Sequence, residues 1–222
     1  MKLIAKTTRI GMLAILAMAV LCTSAYAVSM TGDGLNSLWV STTVANKPDN
    51  VAEARALLAT GTPSASFVAP YIDYADAAYG GAITSAFFPQ PVREPFAVSY
   101  TGYLEIATAG SYDFRAFTDD GFQMNIDGTT IFQFDGNRAP GASVVLGVGL
   151  AAGFLDFEFI SWDQGGAFAN ELAWRMNGDA AWSVVPQGNF YSANPIPEPM
   201  TLVLVGSGLL GMAGLRRRIR KQ

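Results

Sequence analysis

The chain has 222 residues, 18 Asp and Glu against 14 Lys and Arg, a net charge of −4, no histidine and one cysteine. Between Val28 and Ile196 the balance is sharper: 17 acidic residues face 6 basic ones, or −11, because 8 of the 14 cations sit in the two terminal segments. So acidic a module is not built for nucleic acid; without histidine, and with Cys22 ahead of it, the module has no imidazole base, thiolate nucleophile or His-ligated zinc.

The first 27 residues have three parts. Lys2, Lys6 and Arg9 make a positive start, Ile10 to Leu21 is an apolar run, and Ala25-Tyr26-Ala27 is a small-x-small site. This is the pattern of a secretory signal peptide cut after Ala27. Residues 28–192 are expected to form one domain, long enough to bury a core. Without disulfides its stability must come from its core, which a metal could supplement.

Leu35 to Thr43 predicts a first strand. Asn50 and Glu53 are placed as a capping box for a helix over Val51 to Ala59, ended by Gly61 and Pro63, with Ala54, Leu57 and Leu58 as its apolar face. Ala65 to Arg93 predicts one or two irregular strands in loop, where Asp73 and Asp76 read as solvated loop carboxylates, with metal ligation the alternative. Tyr100 to Gly136 then predicts four short strands joined by tight turns, an antiparallel meander with one buried face. Asp127-Gly128 is a two-residue hairpin signal within it.

Further strands are expected over Val144 to Leu150, around Leu155 to Phe159, over Glu171 to Met176, and at Trp182 to Val185 and Asn189 to Tyr191. Trp162 to Asn170 is read as a loop. Repeated short strands with Gly and Asp turns give the fold class: all-β, an antiparallel β-sandwich with one short helix, flanked by the signal helix and a C-terminal membrane helix.

The end of the chain is a second targeting segment. Residues 193–199 make a stiff Pro-rich linker. Met200 to Leu215 is 16 residues without a charge, ~24 Å as a helix against a ~30 Å hydrocarbon core. The basic tail 216–222 holds Arg216, Arg217, Arg218, Arg220 and Lys221, a stop-transfer pattern.

Three groups could carry chemistry. Asp119 and Asp120 are adjacent carboxylates before Gly121. In a partly buried turn they repel each other unless a cation sits between them, and calcium, which takes oxygen ligands in irregular geometry, is the natural one. Asp-Asp-Gly also supplies ordinary turn chemistry for a polar hairpin tip. The loop Trp162 to Asn170 offers the oxygen donors Asp163, Gln164 and Asn170 beside Gly165-Gly166, and paired with the first group makes a two-loop metal site. A carboxylate pair for glycoside hydrolysis is the third option, with Asp163 or Glu171 as partner.

Two resemblances bear on these alternatives. Pro197-Glu198-Pro199, the apolar stretch and the Arg cluster resemble a PEP-CTERM sorting tail. That implies a Gram-negative bacterium, export through the inner membrane, transient anchoring by the tail, recognition by an exosortase, cleavage near Pro-Glu-Pro, and delivery to the cell surface or exopolysaccharide matrix. Gly34 to Val40 (GLNSLWV), Tyr100 to Gly128 and Ser161 to Trp174 resemble a protective-antigen-type (PA-fourteen) domain, related to the GLEYA and flocculin adhesins. Its sugar-binding members hold calcium with an Asp-Asp pair joined by a cis peptide plus a second loop. The resemblance makes Asp119 and Asp120 calcium ligands, with Asn170 or Asp163 from the second loop. The expectation is a calcium-dependent carbohydrate-binding surface module and not an enzyme, its partner a glycan or exopolysaccharide, with Trp162 packed against the sugar ring and Gln164 lining the ligand site. The rival is a structural matrix or adhesion protein without a specific ligand.

Overall fold

Eleven strands and one α-helix are present among the described residues of the computed structural model, which are 31–74, 89 and 91–195. The strands are β1 (Leu35–Ser41), β2 (Ala65–Ala69), β3 (Phe96–Ile106), β4 (Gly110–Asp119), β5 (Phe122–Ile126), β6 (Thr129–Phe134), β7 (Gly141–Leu150), β8 (Gly153–Asp163), β9 (Ala169–Met176), β10 (Ser183–Val184) and β11 (Phe190–Tyr191). The helix α1 spans Val51–Thr60. One sheet runs β2-β1-β3-β8-β5-β6, with β11 also paired to β3; the other runs β10-β9-β4-β7. All pairings are antiparallel, and the all-β sandwich with one helix is as expected. The predicted signal segment (1–27), its Ala27, the loop residue Asp76, Pro197, Glu198, Pro199, the apolar helix (200–215) and the basic tail lie outside the described residues. Among the described residues no helix is long and apolar enough to cross a membrane.

Alternation makes the core. Phe157 and Phe159 of β8 face the same buried cluster as Val98, Tyr100 and Leu104 of β3, Phe114 and Ala116 of β4, and Leu172 of β9, as side chains two apart must. The opposite face of β8 carries Ile160 and Trp162, which with Ala97 bury Val51 and Ala54 of α1. The Asn50 side chain accepts the Glu53 N–H at 3.0 Å. Glu53 reaches back to the N–H of Asp49 at 2.9 Å, one residue earlier than a standard capping box. Arg55 fixes the helix laterally, with bonds of 3.0 and 2.6 Å to the two oxygens of Glu158 on β8.

The predicted meander is corrected. β5 and β6 do form a hairpin at Asp127-Gly128, where Asp127 has φ 49° and Gly128 φ 72°. β3, however, belongs to the larger sheet, β4 to the smaller and β5 to the larger again. The turns after Ile106 and after Asp119 are corners that carry the chain between sheets. The physical reason is that apolar alternation requires only a buried face, and β3 and β4 satisfy it from opposite sides of one core. A second correction concerns Trp162 and Asp163, which end β8 rather than open a loop.

The two chain ends of the domain meet. Ser192 donates its N–H and hydroxyl to the two oxygens of Asp33, at 2.8 and 2.6 Å. Gly34 donates to the Phe190 carbonyl at 3.0 Å.

Candidate metal centre

The second of those corners, at the end of β4, carries Asp119 and Asp120, joined by a cis peptide bond. Antiparallel pairing of β8 with β3 puts Asp163 opposite Phe96 at the same end of the sandwich. Carboxylate oxygens of Asp119, Asp120 and Asp163 lie within 4.8 Å of one another, and the three residues are 8%, 7% and 0% exposed. Two segments far apart in sequence thus meet, the second of them a strand end rather than the loop expected.

The corner is held from β8. The Asp120 N–H donates to the Trp162 carbonyl at 2.7 Å, and the Ser161 hydroxyl donates to the Gly121 carbonyl at 2.9 Å. Gly121 is needed for close approach: a Cβ there would sit 2.2 Å from the Trp162 ring and 2.5 Å from the Gly136 carbonyl oxygen. The Asp120 carboxylate is oriented by two backbone donors, Arg138 to Oδ1 at 3.0 Å and Gln164 to Oδ2 at 2.8 Å. Neither oxygen of Asp163 makes a hydrogen bond.

Burial dominates the electrostatics. Asp163 is pushed up to about 8 by burial first, then by Glu94, Asp119 and Asp120; the nearby Gly165 N–H opposes this at a geometry short of a hydrogen bond. Asp119 rises to about 7 through burial and the charge of Asp120, with Arg138 opposing and Glu94 adding. Asp120 is raised by burial, against the pull of the Gln164 and Arg138 N–H donors. Three oxygen-donor side chains that disfavour one another's ionisation fit a hard divalent cation, which would reverse that penalty.

The other sequence-predicted residues divide. Asn170 is fully buried opposite Thr118 on β9. Its Nδ2 lies 3.4 Å from the Tyr100 hydroxyl in the core, and its Oδ1 has no hydrogen-bond partner. Gln164 has its side chain engaged at both ends, donating to the Pro48 carbonyl and to Asp49 and accepting from Lys47 Nζ at 2.8 Å. Its contribution to the centre is the backbone N–H on Asp120. The sugar-stacking role expected of Trp162 is corrected: the side chain has no exposed surface. It lies under α1 and donates its indole N–H to Asn137 Oδ1 at 3.0 Å. Glu171 stays apart from the three aspartates. It is 1% exposed, paired through its backbone with Asp73 and 3.9 Å from Arg115, and burial plus the Asp73 charge push it up to about 7, with Arg115 opposing.

Two residues of the centre carry no sequence signal. Glu94, just before the cis Pro95 at the entry to β3, accepts the Gly166 N–H at 3.0 Å with one oxygen and has the other buried without a hydrogen bond. Arg138 drapes over the corner, donating to the Thr118 carbonyl, the Thr118 hydroxyl and the Ser143 hydroxyl. A Glu-Pro pair or an Arg after Asp-Gly-Asn points to no ligand. The useful signal was the neighbouring glycines, Gly166 and Gly136, whose backbone closes on the centre.

The sequence matches no protein-family profile and no curated protein. Solved structures do match. The PA14 domain of the MpAFP antifreeze protein superposes with a TM-score of 0.61 at 20% identity, over 74% of this chain and 93% of that one. A PA14 sugar-binding domain from an RTX adhesin gives 0.59 at 23% identity, over 72% and 99%. The epithelial adhesin 6 A domain from Candida glabrata, in complex with Galb1-3GlcNAc, gives 0.56 at 15% identity, over 77% and 91%. The sandwich described here therefore has the fold of PA14 and adhesin domains.

Proposed function

We propose that this domain is a calcium-dependent carbohydrate-binding module of a cell-surface or matrix protein. The observation that carries the reading is the buried trio Asp119, Asp120 and Asp163, with oxygens within 4.8 Å and Asp163 free of hydrogen bonds. Asp119, Asp120 and Asp163 would hold the ion, and Arg138 and Gln164 N–H donors would fix Asp120. Calcium bound there would supply a hard cation to which sugar hydroxyls could add as oxygen ligands. The Asp120 carboxylate is pinned by two backbone donors, so little side-chain freedom is lost when a ligand arrives. Names of the structural neighbours support the sugar half: one is a sugar-binding domain and another is complexed with a disaccharide.

The trio also speaks against a glycosidase. Hydrolysis needs two carboxyl groups on opposite sides of the bond; oxygens of Asp119, Asp120 and Asp163 instead converge on one point.

Calcium is expected to raise the unfolding temperature of the full chain, and Asp119→Ala with Asp120→Ala to remove the rise. At a hundredfold excess over Kd the gain is about 2.7 kcal/mol. An equal rise in the double variant overturns the site. A glycan array without calcium-dependent hits favours the structural matrix protein instead. Export and exosortase sorting belong to the same proposal, supported by the terminal motifs. Mass spectrometry of surface-released protein should find a C-terminus near Pro197-Glu198-Pro199, and an intact tail would exclude cleavage.

A further inference from the structure

The pole opposite the aspartates is also built as a pocket. Tyr112 and Asp119 lie seven residues apart along β4, roughly 23 Å in an extended strand. Beside Tyr112 the ends of β4, β9 and β10 line an open cleft of about 310 Å³, at the lower end of the range of small-ligand sites. Its aromatic wall is Trp174, partly exposed and stacked on Tyr112 with ring centroids 5.5 Å apart and planes at 28°. The Met176 side chain, 41% exposed, adds an apolar edge.

The polar groups decide the class of ligand. Arg175 lines the cleft, but its charge is already matched: Nε donates to Asp113 at 2.9 Å and the guanidinium lies 4.4 Å from the Trp182 ring centre. Asp179 is an exposed carboxylate, and Asn189, whose Nδ2 is bonded to the Glu105 carbonyl, keeps its amide oxygen as an acceptor. An anion meets a neutralised arginine, a carboxylate and a domain of charge −11. A wholly apolar ligand makes no use of these acceptors. A neutral pyranose satisfies both halves, its C–H face on the indole, whose ring face is electron-rich, and its hydroxyls toward Asp179, Asn189 and Ser183.

We infer that this cleft is a second, metal-independent subsite for neutral sugars. No carboxylate cluster lies in it, so it needs no cation. With the calcium site at the other pole, one domain joins two glycan chains without dimerising. The subsite stands without the calcium reading; the bridging rests on it.

The test uses the full chain in EDTA, with Galb1-3GlcNAc, cellotetraose and isomaltotetraose as probes, followed by saturation-transfer NMR and tryptophan fluorescence. At least one probe is expected to bind. Ser183 is exposed and pairs across from Trp174, so Ser183→Tyr fills the mouth without removing a core side chain and should weaken binding at least tenfold. Trp174→Phe, which keeps a ring on Tyr112, should weaken it severalfold. Asp119→Asn with Asp120→Asn should leave it unchanged. Failure of all three probes in EDTA, undiminished binding by Ser183→Tyr, or loss in the aspartate variant overturns the subsite. Calcium-restored binding in Ser183→Tyr reports separately on the metal centre.

Discussion

Asp120 and Trp162 exchange support across the gap between β4 and β8: the Trp162 carbonyl accepts the Asp120 N–H at 2.7 Å, while the indole runs beneath Gly121. The large aromatic therefore shapes the centre from below. Gly121→Ala should destabilise the protein by about 1–3 kcal/mol, the usual cost of overpacking, and weaken the calcium response together with it. Urea unfolding with and without calcium measures both. A variant as stable as the parent would mean that Trp162 can move aside.

Asp163 offers a test in which stability and metal binding part company. Its carboxylate is fully buried and has no hydrogen bond. In EDTA at pH 8, Asp163→Asn should stabilise the fold, because it removes a buried charge that Glu94, Asp119 and Asp120 oppose. The same substitution should abolish the calcium-induced rise in Tm. Lower stability in EDTA would show that the ionised carboxylate is compensated.

The pH dependence follows from the sign of the shifts. Asp119, Asp163 and Glu171 have folded values raised to about 7, 8 and 7. A raised acid binds more protons when folded, so its contribution is fully present below the ordinary carboxylate value near 4 and is lost as pH climbs through the folded value. In EDTA, Tm should fall between about pH 4 and pH 8. Calcium should cancel the fall most strongly at the upper end, where deprotonated ligands are needed. A Tm in EDTA that rises across this window would contradict the buried state of these groups.

Glu171 separates the two sources of that slope. Glu171→Gln removes the repulsion with Asp73 and should raise Tm at pH 8, while leaving the calcium response at Asp119, Asp120 and Asp163 intact. Differential scanning calorimetry at pH 5 and pH 8 resolves the effect. Loss of the calcium response in this variant would join Glu171 to the centre.

Much of this was legible in the residues. Asn50 and Glu53 placed the helix, Asp127-Gly128 placed a hairpin, and Asp119-Asp120 marked the corner where three carboxylates meet. What stayed hidden was long-range. Nothing local separates a hairpin turn from a corner between sheets, so β3 and β4 read as neighbours. Trp162 reads as the start of a loop, yet β8 continues through it and α1 covers it. Glu94 joins the centre only because β3 and β8 pair, a relation no spacing of residues encodes.

The clasp between Asp33 and Ser192 has a consequence for architecture. Entry and exit strands leave the domain as neighbours, so the sandwich is a plug-in unit that can interrupt a loop of a host chain without stretching it. It can equally be carried as a pendant, attached through either end. Tension between the two ends would be borne first by those short hydrogen bonds, before any load reaches the long pairing of β3 with β8.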